Sequence, residues 1–257
     1  MNIKPVLRYQ LHEYFRVFST TYEIVYVLII GTIILRYVKP ADTGSASGIE
    51  FATMVTIFIV GLALFKSAFR FFSSYGVSRK RLFFGLTAAM GVTAAATSLL
   101  DMVNAAIFSR FVPYSTLYAG LLQNRQQSDH ADLLMAEFRL PYHEITLSLL
   151  ARNFLWCLLS YFALGMLGFL IAALYYRMGT TQKILVSVGV PAVFFILIPL
   201  LDHNVTGGRI DAALSNFWTH WTLWGLNPGS DLATRLLLIA MLAGCVWLLL
   251  RRAEVKA

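Results

Sequence analysis

The chain has 257 residues, of which 58% are hydrophobic and 13% charged, whereas a soluble globular domain carries about 25% charged residues. That composition excludes a water-soluble fold and implies one polytopic membrane domain. The net charge of +8 is spread by segment instead of along one face, so no nucleic-acid role is expected.

Residues 5–19 place Leu7, Leu11, Tyr14 and Phe18 on one helical stripe and Arg8, His12 and Arg16 on another. With Pro5 suited to a first turn, residues 1–19 are expected to form an amphipathic helix in the headgroup plane, either anchoring the N-terminus or meeting a partner. The apolar stretch 24–35 follows a long amphipathic segment and leads at once into Arg36 and Lys39, so it is expected to remain as the first span, 20–38, and not to be cleaved as a signal. Small and turn-forming residues at 40–48 form a loop. The second span starts near Glu50 and runs through residues 51–65, with Lys66 and Arg70 on its continuation as snorkelling anchors.

Residues 76–85 read GVSRKRLFFG. Gly76 suits a helix stop and Ser78 a helix start, leaving Arg79, Lys80 and Arg81 in a tight turn between two membrane-length helices. The third span, 82–100, carries Gly91 and Ala95 as a small-xxx-small pair, and Gly168 and Ala172 do the same in the fourth, within 145–176. Asp101 is expected at the outer interface, in contact with water. The alternative is that it faces a substrate path or pairs with Arg110 or Arg152. Arg235 and Glu23 also read as interfacial. Residues 109–144 form a polar outer loop. A fifth span, 184–201, is kinked by Pro191 and Pro199. Phe217, Trp218, Trp221 and Trp224 mark 202–231 as an outer aromatic hairpin, interfacial or re-entrant, before the last span, 232–250. The cysteines, Cys157 and Cys245, lie in apolar runs and read as buried small hydrophobes.

Six spans with both termini inside put thirteen Lys or Arg on the inner segments against two acids, Glu13 and Glu254, as the positive-inside rule requires. The expected fold is therefore all-α, with six transmembrane helices spanning 20–250, an interfacial N-terminal helix and an outer hairpin. No phosphate-binding glycine loop, HExxH motif, paired intramembrane carboxylates or serine–histidine arrangement is present in the sequence. The chain is expected to be no enzyme and to hold no cofactor or metal.

The N-terminal amphipathic helix, six spans, the Gly76-Val77-Ser78-Arg79-Lys80-Arg81 turn, the aromatic segment and the Arg251-Arg252 tail resemble, over nearly the whole chain, the permease subunit of bacterial ABC-2 type ATP-binding-cassette exporters. By that resemblance residues 74–84 would be the coupling turn, with Gly76, Val77, Ser78, Arg79, Lys80, Arg81 and Leu82 docking a separate ATPase subunit that binds ATP and Mg. The amphipathic helix with Arg8, His12 and Arg16 would sit beside it. Two permeases, identical or related, would enclose a path lined by spans one, two and five in the cell membrane and export a peptide, drug or lipid. A non-transporting immunity or sensor subunit is the alternative. A secondary transporter is disfavoured because buried charge pairs and matching broken helices are lacking.

Overall fold

Apolar runs with few helix breakers fold as long helices, because every backbone group is then satisfied within its own segment. The computed structural model describes residues 4–38, 49–111, 114, 116–119, 147–193, 200 and 228–251. Among them are six helices and no strand: α1 (Lys4–Val38), α2 (Ile49–Ser74), α3 (Arg79–Phe108), α4 (Leu147–Arg177), α5 (Thr180–Ala192) and α6 (Pro228–Arg251). Five of these, all but α5, are long and apolar enough to cross a membrane. The protein is thus an all-helical, membrane-embedded chain. The expected fifth span, 184–201, is described through residue 193, where α5 covers its first half, while residues 194–199 and most of the aromatic hairpin, 202–227, lie outside the described residues. Pro191 lies in the last turn of α5, while Pro199 and most of the outer loop are also outside them.

Contacts along the helices give their directions. Tyr9 of α1 stacks on Phe71 near the end of α2, with ring centroids 5.1 Å apart, while Tyr22 reaches Thr53 near the start of α2. The two helices are therefore antiparallel. α2 and α4 run parallel, since Phe65 meets Phe169 and Phe69 meets Tyr176 further along both. α6 joins with Arg235 against Trp156 at one end and Trp247 against Phe83 at the other. One end of the bundle consequently collects the start of α1, the end of α2, the start of α3 and the ends of α4 and α6. Lys66, Arg70, Arg79, Lys80, Arg81, Arg177 and Arg251 all lie there, exposed.

The N-terminal segment departs from expectation. Residues 5–19 do not form a separate interfacial helix: they continue without a break into the first span as one helix of 35 residues, about 52 Å long at about 1.5 Å per residue. No glycine or proline occurs between residues 6 and 30 to interrupt it. Val6, Gln10, Tyr14, Phe18 and Tyr22, spaced by four, are all buried, so one face stays against the bundle across the anticipated junction at 19–20. Leu7 and Leu11 are only partly buried. Arg8, His12 and Arg16 stay exposed on the opposite side.

α2 and α4 approach most closely where glycines face each other. A Cβ on Gly61 would lie 2.6 Å from the Gly165 carbonyl oxygen, and one on Gly168 would lie 2.7 Å from that of Phe58. Gly168 was anticipated as a contact, but Gly61 and Gly165 were not. Gly91, chosen for the same role, meets only Phe162 at an ordinary 3.6 Å. Cys157 is buried, whereas Cys245 is exposed on α6 instead of buried. α6 also begins at Pro228, inside the stretch read as hairpin, where proline suits the first helical position.

Candidate functional site: a basic elbow and a buried carboxylate knot

The elbow forms as its sequence dictates. Gly76 has φ 69°, a left-handed conformation that glycine enters without a Cβ penalty. Its N–H donates to Ser73 O at 3.1 Å and that of Val77 to Phe72 O at 3.0 Å, the paired bonds of a Schellman helix end. Ser78 then takes the N-cap position with extended backbone, although its side chain makes no capping bond. Leu82 N–H donates to Ser78 O at 3.0 Å, and Leu82 itself is buried. Gly76→Ala is expected to cost about 1–2 kcal/mol from backbone strain alone, since nothing lies within 4 Å of the added Cβ. Thermal unfolding in detergent checks this.

The three cations of the elbow separate by role. Arg79 Nη1 donates to the carbonyl of Arg251 at 2.6 Å, placing a guanidinium on the C-terminal end of α6, where helix carbonyls lack partners and the dipole favours positive charge. Lys80 and Arg81 project outward. The elbow is thus tied to the last helix, a link across 172 residues that the local sequence does not disclose.

At the opposite half of the bundle Asp101 is not a wet interfacial residue. It is 1% exposed, and Tyr22 donates to its Oδ1 at 2.7 Å while Tyr161 donates to its Oδ2 at 2.5 Å. Arg110 and Arg152, its anticipated partners, are exposed instead. The knot also contains Glu50, fully buried at the start of α2. Tyr114 donates to its Oε2 at 3.1 Å, and its backbone carbonyl lies 3.5 Å from the Tyr161 hydroxyl. Two buried carboxyl groups therefore share one cluster, against the expectation that no paired intramembrane carboxylates occur; the pairing joins residues of two different helices and leaves no local motif. Burial, together with the Glu50 charge, holds the Tyr114 phenol above its ordinary pKa range, so it remains a donor.

Around this pair, Tyr26 donates to Asn104 Oδ1 at 3.2 Å. Arg235 donates to Ser160, lies 4.8 Å from the centre of the Trp156 ring and is partly buried. Glu50 Oε1, Asn104 Nδ2 and Asn153 Nδ2 have no hydrogen-bond partner among the described residues. Tyr22, Tyr114 and Tyr161 carry no expectation from the sequence, and Glu50 only that of marking the start of the second span. Their only local signal is a phenol or a carboxyl beside an apolar run. No group of three or more metal-ligating side chains occurs among the described residues. The knot's hydroxyl and carboxyl groups join α1, α2, α3 and α4.

The geometry defines the class as a polytopic helical membrane protein with a charged elbow at one end and a buried polar knot in the other half. No protein-family model, curated protein or solved structure matches the chain.

Proposed function

We propose that this chain is the permease subunit of an ATP-driven exporter of the ABC-2 type, pairing with a second permease and with ATPase subunits that bind ATP and Mg. The observation carrying this reading is the elbow. It is a rigid turn closed by backbone hydrogen bonds, with Lys80 and Arg81 presented outward and Arg79 fastened to the end of α6. A partner gripping the two outward cations would displace the end of α2, the start of α3 and the end of α6 together. ATP-driven closure of the ATPases would then bias the permease between two access states, by as much as the docking surface distinguishes them.

The collection of basic residues at the elbow end supports a cytoplasmic elbow and cytoplasmic termini in the cell membrane. Six spans complete the topology, with α5 continuing as the fifth. Residues 4–16 of α1, standing beside the end of α2, extend the docking face with Arg8 and His12.

The test is co-purification from the native cells, with any associated cassette ATPase identified and its ATP turnover measured. Lys80→Glu with Arg81→Glu is expected to lower ATPase retention at least tenfold, while stability changes by less than about 0.5 kcal/mol, as for other surface substitutions. Arg79→Ala is expected to keep the complex but separate ATP turnover from transport, because α6 is released. Unchanged assembly and turnover in the double variant would reduce the elbow to a topology signal. A stable wild-type complex without turnover would assign a non-transporting partner.

A further inference from the structure

The antiparallel packing of α1 on α2, with α3 alongside, leaves a groove of about 430 Å³ between α1 and α3, within the range of about 300–1,000 Å³ usual for small-molecule sites. Its α1 wall is mainly aromatic, with Tyr14, Phe18, Tyr22 and Tyr26, and its α3 wall combines Val92, Ala96 and Leu100 with Thr93 and Thr97, whose hydroxyls are spent on carbonyls of their own helix. Neither lysine nor arginine belongs to the lining. The charged group at its edge is Glu23, exposed among the apolar side chains Ile24 and Val27, with its carboxylate accepting from the Ser19 hydroxyl at 3.2 Å. Behind Tyr22 lies the buried Asp101. Tyr14 is 1% exposed, and its hydroxyl has no hydrogen-bond partner among the described residues.

These features converge on one ligand chemistry. An apolar trough requires an apolar body, since burying a polar one without partners is costly. Aromatic faces attract cations through their quadrupole. A carboxylate exposed on an apolar, membrane-length helix is costly to keep charged without a partner, and a cation held beside it offsets that cost. We propose that the α1–α3 groove binds lipophilic cations, with Glu23 as the counter-charge and the aromatic stripe of α1 as the platform. As a substrate entrance the groove rests on the exporter reading. The binding itself does not, and it is tested on this chain alone.

The probes are tetraphenylphosphonium and tetraphenylborate, which share shape and size but differ in sign. Binding is measured by equilibrium dialysis to the full chain in nanodiscs of zwitterionic lipid, against empty nanodiscs. One saturable tetraphenylphosphonium site per chain is expected, with no competition from tetraphenylborate. Glu23→Gln is expected to weaken it at least tenfold, and Ala96→Trp, which fills the groove from an exposed α3 position, to abolish it with the thermal midpoint preserved. Equal binding of both ions, unchanged affinity in Glu23→Gln, or no saturable site above empty nanodiscs overturns the proposal. Saturable cation binding without any ATPase partner would leave the groove standing and the exporter reading fallen.

Discussion

Gly61→Ala and Gly168→Ala are expected to lower the thermal midpoint of the detergent-solubilised protein, while the same change at Gly91 or Gly244 raises it. Alanine is favoured over glycine within a helix by up to about 1 kcal/mol, so the sign depends on what the new methyl group meets. At Gly244 nothing lies within 4 Å, and at Gly91 the neighbour is the Phe162 ring at 3.6 Å, leaving the propensity gain unopposed. At Gly61 the methyl would stand 2.6 Å from the Gly165 carbonyl oxygen and 3.2 Å from Gly168 Cα. These are backbone atoms, which move only if α2 and α4 separate. Overpacking of this kind costs about 1–3 kcal/mol, and separation also gives up the Phe65–Phe169 and Phe69–Tyr176 contacts. Gly165→Ala is expected to fall between the two groups, because its clash is with the Met90 side chain, including Cγ at 2.8 Å, and a thioether chain adjusts. Equal midpoints for Gly61→Ala and Gly91→Ala in a melting series would remove the glycine crossing from the account.

Asp101→Ala is expected to be the most damaging single substitution in the knot. It removes the short-range acceptor of the Tyr22 and Tyr161 hydroxyls, which it joins from α1 and α4, leaving only the longer contacts to Thr53 Oγ1 at 3.3 Å and Glu50 O at 3.5 Å. Each unsatisfied buried donor costs about 1–3 kcal/mol, so the loss is expected at about 2–6 kcal/mol, enough to sharply reduce the folded fraction. Asp101→Asn keeps one acceptor oxygen and is expected to cost less. Tyr161→Phe removes one donor and is expected to cost about 1–2 kcal/mol. In the double variant Asp101→Ala with Tyr161→Phe the effects are expected to add to less than their sum, since neighbours sharing a hydrogen bond couple by about 0.5–3 kcal/mol. Denaturation midpoints of the four proteins provide the cycle, and strict additivity would show that the 2.5 Å contact contributes nothing to stability.

Where structure follows from neighbours in the chain, the sequence sufficed. The composition established a membrane protein. Long apolar runs located α2, α3 and α4 to within a few residues at most boundaries. Gly76 and Ser78 set the elbow, because a left-handed helix end and an N-cap are decided within one turn of backbone. Arg79, Lys80 and Arg81 could be placed in that elbow but not told apart, since only the proximity of Arg251 distinguishes the first from the others.

Tertiary structure alone decided the rest. The continuity of α1 depends on α2 and α3 burying its Val6-to-Tyr22 stripe past the point where residues 5–19 looked like a surface helix. The knot depends on bringing together Tyr22, Asp101 and Tyr161, whose separations of 79 and 60 residues put their pairing beyond any local pattern. Helical periodicity reveals which side chains share a face. Which faces meet is set by the side-chain volumes at the crossings, here by the absence of side chains at Gly61, Gly165 and Gly168.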